Sequence, residues 1–217
     1  MIKGKTTILF DMDGVLVNSE PQHYEAWNKV FASLGFQMPW DPYKYCIGSV
    51  LPHMFEMVED YIGRPVEHQD ELLAQYKVYL SEILEAEGVQ EVAGVDTLLP
   101  ELKKAGYRMA VASSSPMPEI LKNMEALKSE DQFDCLFTGE SVPNPKPAPD
   151  TFLSCAAEVG AGPEECIVIE DSYNGTLAAK RAGMYCIGIQ NPDSGEQDLS
   201  NADVIIHEFK ELRGLLL

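Results

Sequence analysis

The feature that most constrains this chain is an alternation. From about residue 92 onward, short apolar runs trade places with amphipathic segments. The runs are Arg108 to Ala112, Cys135 to Thr138, Cys166 to Ile169, Met184 to Ile189 and Asp203 to Ile206. Between them lie VDTLLPELKKAG, MPEILKNMEALKS, DTFLSCAAEVG and NGTLAAKRAG. In the first of these, Leu98, Leu99, Leu102 and Ala105 fall at helical spacing and Gly106 closes the pattern; Gly160 and Gly183 close two others. Repeated strand and helix of this kind predicts an α/β fold, a mostly parallel sheet covered by helices.

Residues 17–90 read differently. PQHYEAWNKVFASLG, VLPHMFEMVEDYIG and VEHQDELLAQYKVYLSEILEAEG carry helical periodicity, with no strand-like run of similar quality. We expect an all-helical insert here, with 1–16 and 91–217 forming the sheet domain. Trp27 and Phe31, four apart, read as helix core, and Met54, Phe55, Met57 and Val58 as packing between the inserted helices, with the lining of a substrate pocket as the alternative.

Composition narrows the partners. Against 35 acidic residues stand 16 basic ones, a net charge of −19. Such a surface repels nucleic acid and acidic membranes. An anionic substrate must therefore be received locally, by a metal, a lysine or backbone amides. There is no apolar run long enough to span a membrane and no signal-peptide pattern at the N-terminus. The five cysteines are odd in number and form no CxxC pair, which favours a reduced, cytoplasmic protein over a disulfide framework or a zinc site. Monomer is the default expectation.

In an open parallel sheet, ligands bind beyond the carboxyl ends of the strands. After the first strand-like run, Thr7 to Phe10, come Asp11 and Asp13. After the second comes Ser113-Ser114-Ser115. After the third the loop GESVPNPKPAPD holds Lys146, and after the fourth comes Glu170-Asp171. Four strand ends thus deliver carboxylates, hydroxyls and an ammonium to one edge. Asp11 and Asp13, two apart in extended chain, point the same way. With Asp171 they make a carboxylate set suited to a hard cation such as Mg²⁺. Lys146 adds a positive charge for a phosphoryl group, and Ser113 and the amides around Met12, Asp13 and Ser114 offer donors to its oxygens. One aspartate can attack phosphorus while the other serves as general acid and base.

The stretches FDMDGVL (10–16), VASSS (111–115), NPKPAPD (144–150) and VIEDSYNG (168–175) resemble the four motifs of the haloacid dehalogenase-like hydrolase superfamily. The resemblance covers essentially the whole chain. It implies a Rossmann-like core whose helical insert is a type 1 cap, closing over the substrate and choosing the leaving group. It further implies that Asp11 is the nucleophile and a Mg²⁺ ligand. Asp13 is then the acid/base and a ligand through its main-chain carbonyl. Ser113 and Lys146 bind the phosphoryl group, and Asp171 is a direct ligand with Glu170 tuning the site through water. Acid at position 13 and the Glu170-Asp171 pair favour phosphate chemistry over dehalogenation.

NSEP (18–21), SSSP (113–116) and FLSCAAEVG (152–160) look most like the sugar-phosphatase branch, which includes hexitol-phosphate phosphatases. The expected partner is a small phosphorylated metabolite. The β-phosphoglucomutase branch is a near relative whose cap arginine holds a second phosphate. Aligned on Gly48, that position is Leu51 here, and Pro116 stands where the mutase has lysine. Lys44 and Arg64 are the candidate substitutes. Asn18 stands where the family usually has Asp. Residues 46–52, Gly48 among them, are the expected contact with the leaving group. His23 matches a histidine that helps order cap closure in the mutase branch; an ordinary polar helix residue is the plain alternative. Ser115 reads as a cap for the following helix. The competing functions are a phosphomutase and a non-catalytic binding module.

Overall fold

The computed structural model describes residues 2–47 and 51–217, with the side chains of 51–53 outside that description. Gly48 and the side chain of Leu51 therefore lie outside the described residues. In chain order the elements are β1 (Thr7–Phe10), α1 (Glu20–Ser33), α2 (Trp40–Tyr43), α3 (Leu51–Ile62), α4 (Gln69–Glu87), α5 (Val95–Lys104), β2 (Arg108–Ser113), α6 (Met117–Ala126), β3 (Cys135–Thr138), α7 (Asp150–Glu158), β4 (Cys166–Glu170), α8 (Tyr173–Arg181), β5 (Tyr185–Ile189), β6 (Val204–Ile206) and α9 (Leu212–Leu216).

The chain divides into two compact units. One comprises 1–18, 89–192 and 197–217; the other comprises 19–88 with the four residues 193–196.

The first unit is built on one six-stranded sheet in the order β3-β2-β1-β4-β5-β6, with every pairing parallel. A parallel sheet needs cover on both faces, and its central strands comply: β1 and β4 are buried throughout. Alternation of side chains sends Ile8 and Phe10 into one core with Leu98, Leu102, Val111 and Ile169. Leu9 enters the opposite core, where Ala110, Ala112, Cys155, Ala156, Ala178 and Cys186 let α7 and α8 pack close. Chain order reverses between β1 and β4, so the cleft beyond their carboxyl ends is the expected ligand position. Phe10 is in register with Val111 of β2 and Ile169 of β4. The next residue on each strand, Asp11, Ala112 and Glu170, thus reaches that edge at one level.

The second unit is held by rings. Trp27 on α1 stacks on Tyr76 of α4, 4.3 Å between centroids at 15°. Phe31 stacks on Phe36 at 5.0 Å, and Tyr24 meets Trp40 edge-on at 5.2 Å. Met54, Phe55 and Val58 are buried in the same core, with Met57 packed against it. Asn28 clamps the Met38 backbone, donating to its carbonyl at 3.1 Å and accepting from its amide at 2.8 Å. The segment 193–196 contributes Glu196, which accepts from Lys44 Nζ at 2.8 Å. Gly195, with φ 77°, approaches the Lys44 carbonyl so closely that a Cβ would stand 2.5 Å from it. No helix among the described residues is long and apolar enough to cross a membrane.

Candidate active site

Asp11 follows β1 directly, and its amide donates to the Ile169 carbonyl at 2.9 Å, extending the β1–β4 ladder by one rung. The chain then turns tightly: the Met12 carbonyl accepts from the amides of Val15, Leu16 and Val17. That turn fixes where Asp13 leaves the backbone. Met12 itself is fully buried, its sulfur accepting from Asn123 Nδ2 at 3.5 Å.

Lys146 is the hub of the site. Its Nζ donates to Asp11 Oδ1 at 2.5 Å, to Glu170 Oε1 at 2.9 Å and to the Ala112 carbonyl at 3.0 Å. Those three bonds use all three of its N–H groups. The side chain is 6% exposed, lies 4.6 Å over the Phe152 ring, and comes from the loop that the sequence places after β3. Burial opposes the ammonium charge, but Asp11 and Glu170 overcome that and hold Lys146 above the ordinary lysine value. Burial pushes Asp11 up to about 7 against the pull of Lys146, with Glu170 and Asp13 adding like charge.

Glu170 is more directly engaged than the sequence indicates. Besides Lys146 on Oε1, its Oε2 accepts from the amides of Asp171 and Ser172 and from the Ser172 hydroxyl, each at 2.9 Å. The Ser172 hydroxyl also accepts from the Gly175 amide at 3.0 Å, which caps α8. Gly175 is required by this closeness, since a Cβ there would overlap the Glu170 carboxylate.

Asp11, Glu170 and Asp171 each offer a carboxylate oxygen, all within 4.8 Å of one another, and all three residues are buried. Three buried carboxylates gathered around one ammonium make a site where a further positive charge would be favourable. The donors are hard oxygens without a histidine or thiolate, so the set fits a hard divalent cation.

Ser113 ends β2 in register with Thr138 and is buried, its hydroxyl accepting from the Ser115 amide at 3.0 Å. Ser114 beside it is exposed. Ser115 does not cap α6: the N-cap is Pro116, without a side-chain bond. Its hydroxyl instead donates to Asp13 Oδ2 at 2.9 Å. Burial, and then the Asp13 charge, hold Glu119 on α6 above its ordinary value.

Asn191, two residues past β5, escaped the sequence reading. It is buried and donates to the Gly14 carbonyl at 3.0 Å and to Asn18 Oδ1 at 3.3 Å, tying down the turn after β1. Its position beyond a strand's carboxyl end was the available signal. His23 lies in the helical unit, bonded through Nδ1 to the Tyr76 hydroxyl and stacked on that ring at 6.1 Å.

The haloacid dehalogenase-like hydrolase family matches residues 8–189. Protein CbbY of Cereibacter sphaeroides is 33% identical over 222 residues, covering 96% of this chain and 94% of its own. Hexitol phosphatase B of Escherichia coli K12 is 31% identical over 208 residues, covering 94% and 92%. A crystal structure of CbbY from Rhodobacter sphaeroides with xylulose-(1,5)bisphosphate superposes with a TM-score of 0.76 at 27% identity, covering 98% of this chain and 100% of that one. The site and these likenesses agree, and the chain belongs to the haloacid dehalogenase-like hydrolase family.

Proposed function

We propose that this chain is a Mg²⁺-dependent phosphomonoesterase that acts on a small sugar or polyol phosphate through an aspartyl-phosphate intermediate. The observation that carries the reading is the buried bond of Lys146 to both Asp11 and Glu170 beside Asp171. That arrangement gathers a nucleophile, a fixed positive charge and cation ligands within one strand-end cleft.

Asp11 attacks phosphorus, the ester P–O bond breaks, and Asp13 gives its proton to the departing alcohol oxygen. Water then bonds to phosphorus, Asp13 takes a proton from it, and the Asp11–phosphorus bond breaks. Ester and water become alcohol and phosphate. Lys146 steadies the Asp11 carboxylate, and the Ser113 hydroxyl, with the amides of Met12, Asp13 and Ser114, receives phosphoryl oxygens. Asp11, Asp171 and the Asp13 main-chain carbonyl would hold Mg²⁺, which would supply neutralising charge for the phosphoryl group. The many hydrogen bonds of Glu170 suit it to orienting Lys146 and the Asp171 backbone.

The sugar class is supported by the relatives, a hexitol phosphatase and a protein crystallised with a pentulose bisphosphate. Hydrolysis is favoured over mutase chemistry by the two candidate phosphate anchors of the insert. Lys44 is paired with Glu196 and with Asp41, and Arg64 donates to the Leu34 carbonyl at 2.9 Å. Both are already engaged within the helical unit.

The test is phosphate release across a panel of phosphorylated sugars and polyols, with Mg²⁺ and with EDTA, using wild type and Asp11→Asn. Isomerisation of β-glucose 1-phosphate is followed in parallel. Release that needs Mg²⁺ and falls by about 10⁴-fold or more in Asp11→Asn is expected. Retained turnover in that variant would sink the covalent mechanism, and isomerisation without free phosphate would move the chain to the mutases.

A further inference from the structure

The serine run contains a hydroxyl, that of Ser115, which the chemistry above does not use and which is itself bonded. Ser115 Oγ donates to Asp13 Oδ2 at 2.9 Å, across 102 residues of sequence. Ser115 is itself held from two other sides. Its amide donates to Ser113 Oγ at 3.0 Å, and its carbonyl accepts from Thr138 Oγ1 at 2.8 Å. Thr138 is buried at the end of β3, where its hydroxyl also accepts from the Glu140 amide at 3.2 Å. Helix α6 does not require this arrangement, because Ser115 is not its cap.

We propose that Ser115 is a positioning residue for the reaction, fixing the orientation of the Asp13 carboxyl group with Thr138 as its backing. A carboxyl group turns freely about its Cβ–Cγ bond unless a donor holds it. The Ser115 hydroxyl, anchored to the ends of β2 and β3, removes that freedom. It also keeps Oδ2 as an acceptor, so the transferable proton rides on the other oxygen and meets the leaving group along one line. A separate bond, from the Ser115 amide to Ser113 Oγ, leaves the Ser113 hydroxyl hydrogen to point elsewhere. The inference rests on the reading of Asp13 as the general acid and base.

The leaving group separates a positioning role from a structural one. A sugar alkoxide needs a proton to depart, whereas p-nitrophenolate leaves without one near neutral pH. Ser115→Ala is compared with Ser115→Thr, Asp13→Asn and wild type on the best sugar phosphate from the panel and on p-nitrophenyl phosphate. Ser115→Ala should lower kcat on the sugar phosphate by about 10- to 100-fold with KM little changed. On p-nitrophenyl phosphate it should keep a fast burst of nitrophenolate followed by slow turnover, since only the water step then needs Asp13. Ser115→Thr, which keeps the hydroxyl, should recover most of the rate. Equal loss in the burst and in the sugar reaction, or no loss in either, overturns the inference while Asp13→Asn still loses activity. A wild type that turns over neither substrate, or an active Asp13→Asn, overturns the underlying reading and the inference with it.

Discussion

The sheet unit buries charge, whereas the helical unit buries rings. At the carboxyl edge of β1 and β4, three carboxylates and one ammonium are buried together, with Lys146 bonded to Asp11 and Glu170 and Asp171 beside them. In the helical unit the interior holds Trp27, Phe31 and Phe55 in stacked and edge contacts, with half-buried Tyr76 stacked on Trp27, and an ion pair such as Lys29–Glu25 stays about half exposed at the surface. Buried like charges cost stability and are kept where chemistry needs them. Aromatic burial is stabilising outright and says little about a reaction. The contrast separates a unit whose buried charge suits chemistry from one whose interior is a matter of packing.

The largest effects should come from breaking the charge network. Lys146→Ala leaves Asp11 and Glu170 buried beside Asp171 with no ammonium between them. It should abolish turnover and cost about 3–5 kcal/mol. Mg²⁺ should return part of that stability, because a bound cation restores the missing positive charge. Urea unfolding of the variant with and without Mg²⁺ measures both, and a variant as stable as wild type in EDTA would mean that Lys146 gives the buried carboxylates no net stabilisation.

Trp27→Ala removes the ring at the centre of the helical unit and should cost about 3–5 kcal/mol. The chain has two tryptophans, Trp27 and Trp40, and both lie in that unit. Trp40 fluorescence therefore follows the helical unit alone in this variant, while far-UV circular dichroism follows both. A fluorescence transition at lower urea, with the main dichroism transition unmoved, sharpens the comparison. Coincident shifts in both probes would break it, since the two units would then unfold as one.

The sequence carries the sheet unit further than the helical one, for a physical reason. A parallel strand buried on both faces is written as an unbroken apolar run, and the residue after it is placed at a known edge. Asp11, Ser113, Glu170 and Asp171 could be read in that way. The partners that hold them could not. Ser115 and Asp13 are 102 residues apart, and Asn191 and Gly14 are 177 apart. Serine and asparagine are ordinary loop residues, so no spacing marks such a bond before the fold closes it. The short helix Trp40–Tyr43 has proline inside it and too few turns to show a period. Residues 193–196 join the helical unit through Glu196 and Gly195, and neither residue type announces a neighbour 150 positions away.

The finest test of the charged unit is Gly175→Ala. Gly175 sits in the first turn of α8, where alanine should by propensity add about 0.5–1 kcal/mol of stability. The structure gives the opposite sign, because the new Cβ would overlap the Glu170 carboxylate. Glu170 must then turn away from the Asp171 and Ser172 donors or from Lys146, and α8 must shift if it does not. The expected result is a loss of about 1–3 kcal/mol in urea unfolding, with a fall in kcat as Lys146 loses its second carboxylate. Alanine at this position with unchanged kcat and raised stability would show that Glu170 can leave its place without cost. The division between a unit that buries charge for chemistry and one that buries rings for stability would then rest on Asp11 and Lys146 alone.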